Sequence, residues 1–118
     1  MTIQDIEELL DLKTIVEGDS SLEVKTACGA DLMSDVLAFS TRKTVLLTGL
    51  TNPQVVRTAE MVDIRVIIFV RDKNPEKKTV ELARQKNIAL YRASDSLFAC
   101  CGILYQAGVQ PEKIKSFY

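Results

Sequence analysis

The feature that most constrains the fold of this chain is an unbroken apolar run from Val66 to Val70. Because this run lacks the alternation of a strand with one solvent face, it predicts a strand that is buried on both faces. Similar runs, Thr44 to Thr48 and Ile88 to Tyr91, lie before and after it, and a helical pattern follows each of the three. The repeated order of strand and helix from Thr44 onward predicts an α/β fold with a parallel sheet and right-handed crossovers.

The helices of this alternation carry start and stop signals. Asn52 and Asn74 are each followed by a proline, a combination typical of helix starts, in which the asparagine caps the first turn. Asn87 is suited to a left-handed helix stop. The last helix is predicted from Ser94 to Gly108, where glycine provides the end signal.

The residues before Gly29 are predicted to form a short helix and two strands. Thr2 is placed to cap the helix, which is expected to end near Asp11. The strands are predicted at Lys13 to Glu17 and at Leu22 to Thr26, on either side of a turn. The predicted buried face of the helix consists of Ile3, Ile6, Leu9 and Leu10.

Length and charge limit the class of protein. A chain of 118 residues suits one domain, predicted at 1–110, with a polar tail at 111–118. The net charge of −1 provides no general attraction to nucleic acid or to an anionic membrane surface. No apolar run is long enough to span a bilayer, and the first residues lack the order of a signal peptide. We therefore expect a cytoplasmic protein.

The chain contains no histidine and three cysteines. The absence of histidine removes histidine general bases, Ser–His and Cys–His nucleophile pairs, and most zinc sites. Cys28 stands alone and Cys100 is adjacent to Cys101, so a disulfide framework is not expected. Because adjacent side chains on a helix point in different directions, core packing is favoured over a redox pair. We expect no catalytic residues, no metal and no cofactor.

Two carboxylates and a hydroxyl lie close together in the stretch after Gly29. Asp31 is placed to cap a helix, and Asp35, four residues on, would then lie on the same side as Asp31, next to Ser34. Such a group can line a polar ligand site or hold a hard cation, although cation sites built from oxygen usually need more ligands. The alternative is a helix cap with a solvated neighbour.

The loop that begins at Thr48 is the stronger candidate for a ligand site. Gly49 follows a buried strand, Thr48 and Thr51 offer hydroxyls, and Asn52 opens a helix. Phosphate groups bind at such places, at the carboxyl end of a parallel strand and the start of a helix. The loop matches neither of the common glycine-rich phosphate motifs, and no lysine follows it. A plain strand-to-helix turn is the alternative.

The last helix lacks a polar face. A helix that is apolar all round must be covered on several sides, and a small domain has few elements to cover it. We predict a homodimer interface here; the alternative is burial between the sheet and the first helix. Phe98 and Tyr105, seven residues apart, are predicted to point outward. The predicted interface residues are Leu97, Phe98, Cys101, Leu104 and Tyr105.

The stretch from Gly29 to Val36 resembles the DRTGG domain family. In the region that corresponds to the family signature, Glu23 to Gly29, the residues Thr26 and Gly29 match it. The likeness covers nearly the whole chain. It continues at Thr44 to Thr48, Asn52-Pro53, Ile67-Ile68, Asn87-Ile88 and Leu104-Tyr105.

The resemblance implies a stand-alone, compact α/β sandwich similar to the N-terminal domain of HPr kinase. Domains of this family are found beside CBS pairs, in regulated pyrophosphatases and next to phosphate acetyltransferase. Stand-alone members resemble companions of iron-only hydrogenase and electron-transfer systems in anaerobes. The resemblance therefore implies a regulatory, dimer-forming or ligand-sensing part and not an enzyme.

Residues and resemblance together favour a non-catalytic regulatory or ligand-sensing module. We expect it to be a homodimer that binds a nucleotide or another phosphate-containing ligand, with a redox enzyme as its partner. One alternative is a small enzyme that uses Asp31, Asp35 and the Thr48 loop on a phosphorylated substrate. Another is an assembly subunit of a redox complex, which would bind no small ligand.

Overall fold

Residues 1–38 and 44–112 are described by a computed structural model. Within these ranges the radius of gyration is 12.8 Å, as expected for one domain of this size. The helices are α1 (Ile3–Leu10), α2 (Met33–Val36), α3 (Gln54–Met61), α4 (Lys77–Gln85) and α5 (Leu97–Gln106). The strands are β1 (Lys13–Val16), β2 (Thr26–Gly29), β3 (Thr44–Thr48), β4 (Val66–Phe69), β5 (Ala89–Arg92) and β6 (Gln110–Pro111).

The strands form one sheet in the order β1-β5-β4-β3-β2-β6. Strands β2, β3, β4 and β5 are parallel, and β6 is parallel to β2. Only β1, at the edge beside β5, is antiparallel among the described strands. The predicted α/β fold with strand–helix alternation after Thr44 is therefore confirmed, as a mixed sheet with a parallel centre.

Each central strand contributes side chains to two separate cores. Val66 and Ile68 of β4 pack on one face of the sheet, with α1 and α5. Ile67 and Phe69 pack on the other, with α2, α3 and α4. All four residues are at most 3% exposed. The predicted burial of this strand on both faces is confirmed, and the molecule is a three-layer sandwich.

The first helix starts and ends as predicted. Thr2 Oγ1 accepts a hydrogen bond from the Asp5 N–H, and Asp5 Oδ2 accepts one from the Thr2 N–H, which forms a capping box. Asp11 ends the helix in a left-handed conformation with φ of 50°. The prediction that Leu9 is buried was wrong, because Leu9 lies beside the narrow buried stripe of α1 and is 43% exposed.

The strand predicted at Leu22 to Thr26 was misplaced. The observed strand, β2, covers Thr26–Gly29, and the residues before it form only an isolated bridge between Glu23 and Thr2. Two of the residues in β2, alanine and glycine, have low strand propensity, so its position is set by pairing with β3. Val24, part of the predicted strand, is buried in the core from a non-strand segment.

Two helices begin later than predicted. Helix α4 begins at Lys77, because the Asn74 side chain accepts a hydrogen bond from Arg92 Nη1 and does not cap the helix. Helix α5 begins after Ser96, whose Oγ accepts from the Ala99 N–H at 3.2 Å. The helix ends were predicted correctly, since Asn87 and Gly108 both have positive φ, at 56° and 102°.

The last described strand, β6, extends past the predicted domain boundary. Gln110 and Pro111 pair with Thr26 and Ala27 of β2, so Pro111 belongs to the sheet. Residues 113–118 of the predicted tail lie outside the described residues, and the boundary itself stays a prediction. In the described part of the chain, no helix combines the length and apolar character required to cross a bilayer.

The close packing of α5 on the end of β2 generates a stability prediction. A Cβ added at Gly29 would lie 2.8 Å from Cys101 Sγ and 3.2 Å from Leu97 Cδ1. We expect Gly29→Ala to lower the free energy of unfolding by about 1–3 kcal/mol, as overpacking does. Urea unfolding measures the change.

The matched control is the Gly29→Ala, Cys101→Ala double variant. Removing Sγ takes away the nearest atom, so the double variant should be more stable than the sum of the two single changes predicts. Strictly additive effects would show that the added methyl group does not meet Cys101.

Candidate functional site

The parallel strands bring several loops to one edge of the sheet. Strands β3, β4 and β5 end at Thr48, Phe69 and Arg92, and their carboxyl ends face the same side. Ligands of open α/β sheets bind at this side, outside the carboxyl ends of the strands. The candidate site therefore consists of the connections that follow β2, β3, β4 and β5.

Asp31 does not cap a helix, so the predicted capping role was wrong. Helix α2 begins at Met33, and its N-cap position is Leu32, which makes no side-chain hydrogen bond. Asp31 Oδ1 instead accepts hydrogen bonds from the Gly49 N–H at 2.7 Å and from Thr48 Oγ1 at 3.1 Å. This contact follows from topology, because β2 and β3 are adjacent and parallel and Asp31 comes just after the end of β2.

Thr48 and Gly49, both predicted to bind a ligand, are engaged by the chain itself. The Thr48 side chain is fully buried, and its hydroxyl both donates to Asp31 and accepts from the Leu50 N–H at 3.1 Å. The Gly49 N–H points at the Asp31 carboxylate. The two donors are therefore arranged around one oxygen of a negatively charged group, as in an oxyanion site.

Thr51 and Asn52, the other predicted ligand residues, fix the shape of the same loop. The Thr51 carbonyl oxygen accepts from Thr79 Oγ1 at 2.7 Å and from the Glu76 N–H at 3.1 Å, which joins the loop to the start of α4. Asn52 Oδ1 accepts from the Gln54 N–H at 3.0 Å. This bond ties Asn52 to the first residue of α3, but the N-cap position is Pro53, so the predicted capping position was one residue too early.

In the described part of the chain, no hydrogen bond joins Ser34 or Asp35 to the Thr48 loop. Both lie exposed on α2, and Asp31 lies outside that helix, so the predicted alignment of Asp31 with Asp35 on one helical side was wrong. Among residues 1–38 and 44–112, no group of three or more His, Cys, Asp or Glu side chains is arranged to hold a metal ion.

Two basic side chains missed by sequence reasoning belong to this edge. A Cβ built on Gly49 would lie 3.5 Å from both Lys73 Nζ and Asp31 Oδ1, so the ammonium group borders the loop. Arg92 Nη1 donates to Asn74 Oδ1, and its Nε lies 3.1 Å from Asp72 Oδ1, an ion pair without hydrogen-bond alignment. Their signal in the sequence is their position, since Lys73 lies in the connection that follows β4 and Arg92 is the last residue of β5.

The connection after β4 has an unusual backbone. Arg71 and Asp72 are consecutive and both left-handed, with φ of 58° and 57°. Residues other than glycine in this region cost about 1–3 kcal/mol each and persist where the surroundings fix them. Here the Arg71 N–H donates to Asp95 O and the Asp72 N–H donates to Ala93 O, both at 2.8 Å. The strained turn presents the next residue, Lys73, at the edge.

The predicted interface residues on α5 differ in exposure. Phe98 is 89% exposed and Tyr105 is 69% exposed, as expected for outward positions. Leu97 and Cys101 are half-buried and pack against Gly29. Leu104 is only 1% exposed and belongs to the core under α5, so its assignment to an interface was wrong.

The three cysteines behave as small apolar residues. Cys28 and Cys100 are buried, and Cys101 is half-buried; all three are free thiols. Burial raises the pKa of Cys28 to about 12 and that of Cys100 to about 11, so both thiols stay neutral at physiological pH. A neutral, buried thiol is a poor nucleophile, which agrees with the predicted packing role.

Comparison with known proteins identifies the fold. No protein-family model matches the chain, and no curated protein matches it. A solved structure of the CBS and DRTGG domains of the regulatory region of Clostridium perfringens pyrophosphatase, complexed with the activator diadenosine tetraphosphate, is similar, with a TM-score of 0.68 and 13% identity. The likeness covers 90% of this chain but 46% of that chain, so this protein spans less than half of its length.

At this low identity the likeness shows the fold alone. The protein has an α/β fold similar to that of a CBS and DRTGG regulatory region, which agrees with the resemblance inferred from sequence. Membership of the DRTGG family stays a prediction.

The position of Asp31 leads to a prediction about stability. Asp31→Ala leaves the buried Thr48 hydroxyl and the Gly49 N–H without their acceptor, so we expect a loss of about 1 kcal/mol in the free energy of unfolding. Asp35→Ala removes an equally charged, exposed side chain from α2 and should change stability by less than about 0.5 kcal/mol. Thermal unfolding of both variants provides the comparison, and equal losses would contradict the structural role of Asp31.

Proposed function

We propose that this protein is a non-catalytic regulatory module that senses a phosphate-containing ligand at the carboxyl edge of its sheet. The observation that carries the proposal is the pair of donors, the Gly49 N–H and Thr48 O–H, that hold one carboxylate oxygen of Asp31. The chain's own anion occupies the place where a phosphate oxygen would bind. Asp31, Gly49, Thr48, Thr51 and Asn52 form the core of the proposed site.

Charge supports an anionic ligand at this edge. Lys73 Nζ lies close to Gly49, and an ammonium group strengthens the binding of an oxyanion by a charge-assisted contact. Arg92 adds a guanidinium at the end of β5, next to Asp72 and Asn74. These cations come from connections other than the Thr48 loop and supply the positive charge that the loop itself lacks.

Displacement of Asp31 provides a mechanism for sensing. A phosphate group that takes the two donors forces the Asp31 carboxylate out, because two anions cannot share one donor pair without repulsion. Asp31 lies in the short connection between β2 and α2, so its release frees that connection. Ligand binding is thereby coupled to the position of a surface segment, which a regulatory module requires.

The structural likeness supports the same class of ligand. The similar pyrophosphatase region is regulatory, and its structure contains an adenine dinucleotide with a chain of phosphates. We propose the same class of ligand for this protein, namely a nucleotide or another compound that contains phosphate. The identity of the ligand is left to the titrations below.

The ligand proposal is tested by amide chemical shifts. Inorganic phosphate, AMP, ATP and diadenosine tetraphosphate are titrated into ¹⁵N-labelled protein, and shifts are expected in residues 49–55. Asp31→Ala should bind phosphate about tenfold more tightly, since it removes a competing negative charge worth about 1–2 kcal/mol. Adding Lys73→Met to that variant should weaken binding again.

Lys86→Met is the matched control for Lys73→Met. Lys86 lies at the other end of α4, where its Nζ is 3.2 Å from Glu60 Oε2 in an exposed ion pair. The Lys86→Met substitution should leave phosphate binding unchanged. If none of the four compounds shifts residues 49–55 in either the wild type or Asp31→Ala, the proposed function fails. The assembly-subunit alternative, with an electron-transfer enzyme as partner, would then be favoured.

The enzyme alternative makes a different prediction in the same experiment. A small phosphate-substrate enzyme would release inorganic phosphate from ATP or diadenosine tetraphosphate over time, and would lose that activity in Asp31→Ala. The proposed module binds these compounds and leaves them intact. Phosphorus NMR of the same samples detects any released phosphate and so distinguishes the enzyme from the binding module.

We further propose that the module is a homodimer joined through α5. This helix contains no charged residue, and its exposed side carries two aromatic side chains, Phe98 and Tyr105. Tyr105 and Pro111 both line a groove of about 220 Å³ between α5 and β6. A twofold interface needs projecting and concave features within one patch, and this surface offers both.

The dimer proposal is tested by a charge on α5. Phe98→Glu would bury an unpaired carboxylate in the interface, so it should produce a folded monomer. Met61→Glu is the matched control, because Met61 is 70% exposed on α3, on the opposite face of the sheet. It should leave the dimer intact. Light scattering gives the mass of each form, and a monomeric wild type at high micromolar concentration would refute the dimer.

A further inference from the structure

A cavity of about 450 Å³ lies at the amino edge of the sheet, opposite the carboxyl edge discussed above. Its floor is formed by the starts of β4 and β5, at Val66 and Ala89, together with Val24. These three side chains are each at most 4% exposed, so they form the base beneath the cavity, and the partly buried Leu22 supplies the apolar side chain that a ligand can reach. This volume is within the range of small-molecule sites.

The walls of the cavity are fixed by the fold. Gly18 approaches β5 so closely that an added Cβ would lie 2.7 Å from Ala89 Cβ, which only glycine allows. The Ala89 N–H donates to Arg65 O at 2.9 Å, and the Leu22 N–H donates to Asp19 O at 3.1 Å. The cavity is therefore preformed, and a ligand would not have to order it.

Left-handed turns complete the walls. Asp63, with φ of 60°, and Asn87, with φ of 56°, turn the chain at the ends of α3 and α4 and line the cavity. Both turns direct the chain into the strands that form the floor.

Carboxylates dominate the rim of the cavity. Asp19, Glu23 and Asp63 line it together with a single arginine, Arg65. Arg65 Nε lies 3.1 Å from Asp63 Oδ1, so the Asp63 carboxylate is paired with the guanidinium. Asp19 is the carboxylate on which the charge preference of the cavity depends.

Asp19 is held in a fixed position at this rim. Its Oδ1 accepts from the Ser21 N–H at 3.0 Å and from Ser21 Oγ at 2.5 Å. These two hydrogen bonds lower the pKa of Asp19, so the carboxylate is ionised at neutral pH. A positioned carboxylate above an apolar floor is complementary to a positive charge on an apolar body.

We propose that this cavity binds a small organic cation, an amine with an aromatic or aliphatic body that fills the apolar floor. The ammonium group lies at the Asp19 rim, and the apolar body contacts Leu22 above the base formed by Val24, Val66 and Ala89. The same rim repels phosphate compounds, so this site is separate from the proposed phosphate site at the carboxyl edge and does not depend on it.

Tryptamine and indole-3-acetate serve as test probes, because they share a ring system and differ in the sign of their charge. Each is titrated to millimolar concentration into ¹³C- and ¹⁵N-labelled protein. Tryptamine should shift the methyl signals of Val24, Val66 and Ala89, with an affinity about tenfold higher than that of indole-3-acetate. Asp19→Asn should reduce this preference to about threefold or less, since an asparagine oxygen keeps both Ser21 bonds without the charge.

The matched control is Asp11→Asn, which removes the same charge from an exposed left-handed position that does not line the cavity. It should leave the preference for tryptamine unchanged. The proposal is overturned if tryptamine shifts none of the three methyl signals, or if indole-3-acetate binds equally well. Shifts confined to Val16 and Ala83, which line a neighbouring cavity on the other face of the sheet, would also overturn it.

Discussion

The whole structure depends on the burial of β3 and β4 from both sides. Leu46 and Ile67 enter one core, and Leu47 and Ile68 enter the other, with no exposure for any of them. Burying an aliphatic side chain of this size contributes about 1.5–3 kcal/mol, so leaving either face uncovered would cost more than most domains can lose. Helices must therefore lie on both faces of the sheet. The connections between strands and helices must then lie at the carboxyl or the amino ends of the strands.

The elements that could be predicted from sequence have signals contained within a few residues. The apolar run of β4, the capping of α1 and the stop at Asn87 are all of this kind, and the structure contains each of them. Strand β2 could not be found in this way. Two of its four residues, alanine and glycine, are poor strand formers, and the strand is held in place by pairing with β3 and by the packing of α5 against Gly29.

The candidate site was predicted in part for the same reason. The Thr48 loop follows an obvious strand, so its position at the carboxyl edge could be inferred from the chain alone. The partners of that loop could not, because they depend on strand order. Asp31 looked like a helix cap, but it contacts Gly49 because β2 lies beside β3; Lys73 approaches from the other side because β4 is the second neighbour of β3.

The outermost strands of the sheet, β1 and β6, restrict how two copies of the protein can associate. Pro111 in β6 has no N–H to donate, and the strand is only two residues long. At the opposite edge, the register of β1 shifts between Thr14 and Val16, and such an irregularity disrupts the hydrogen-bonding row. Sheets with blunted edges resist growth by strand addition. Association through a continuous intermolecular sheet is thus disfavoured, and the helical faces remain as the surfaces through which two copies can meet.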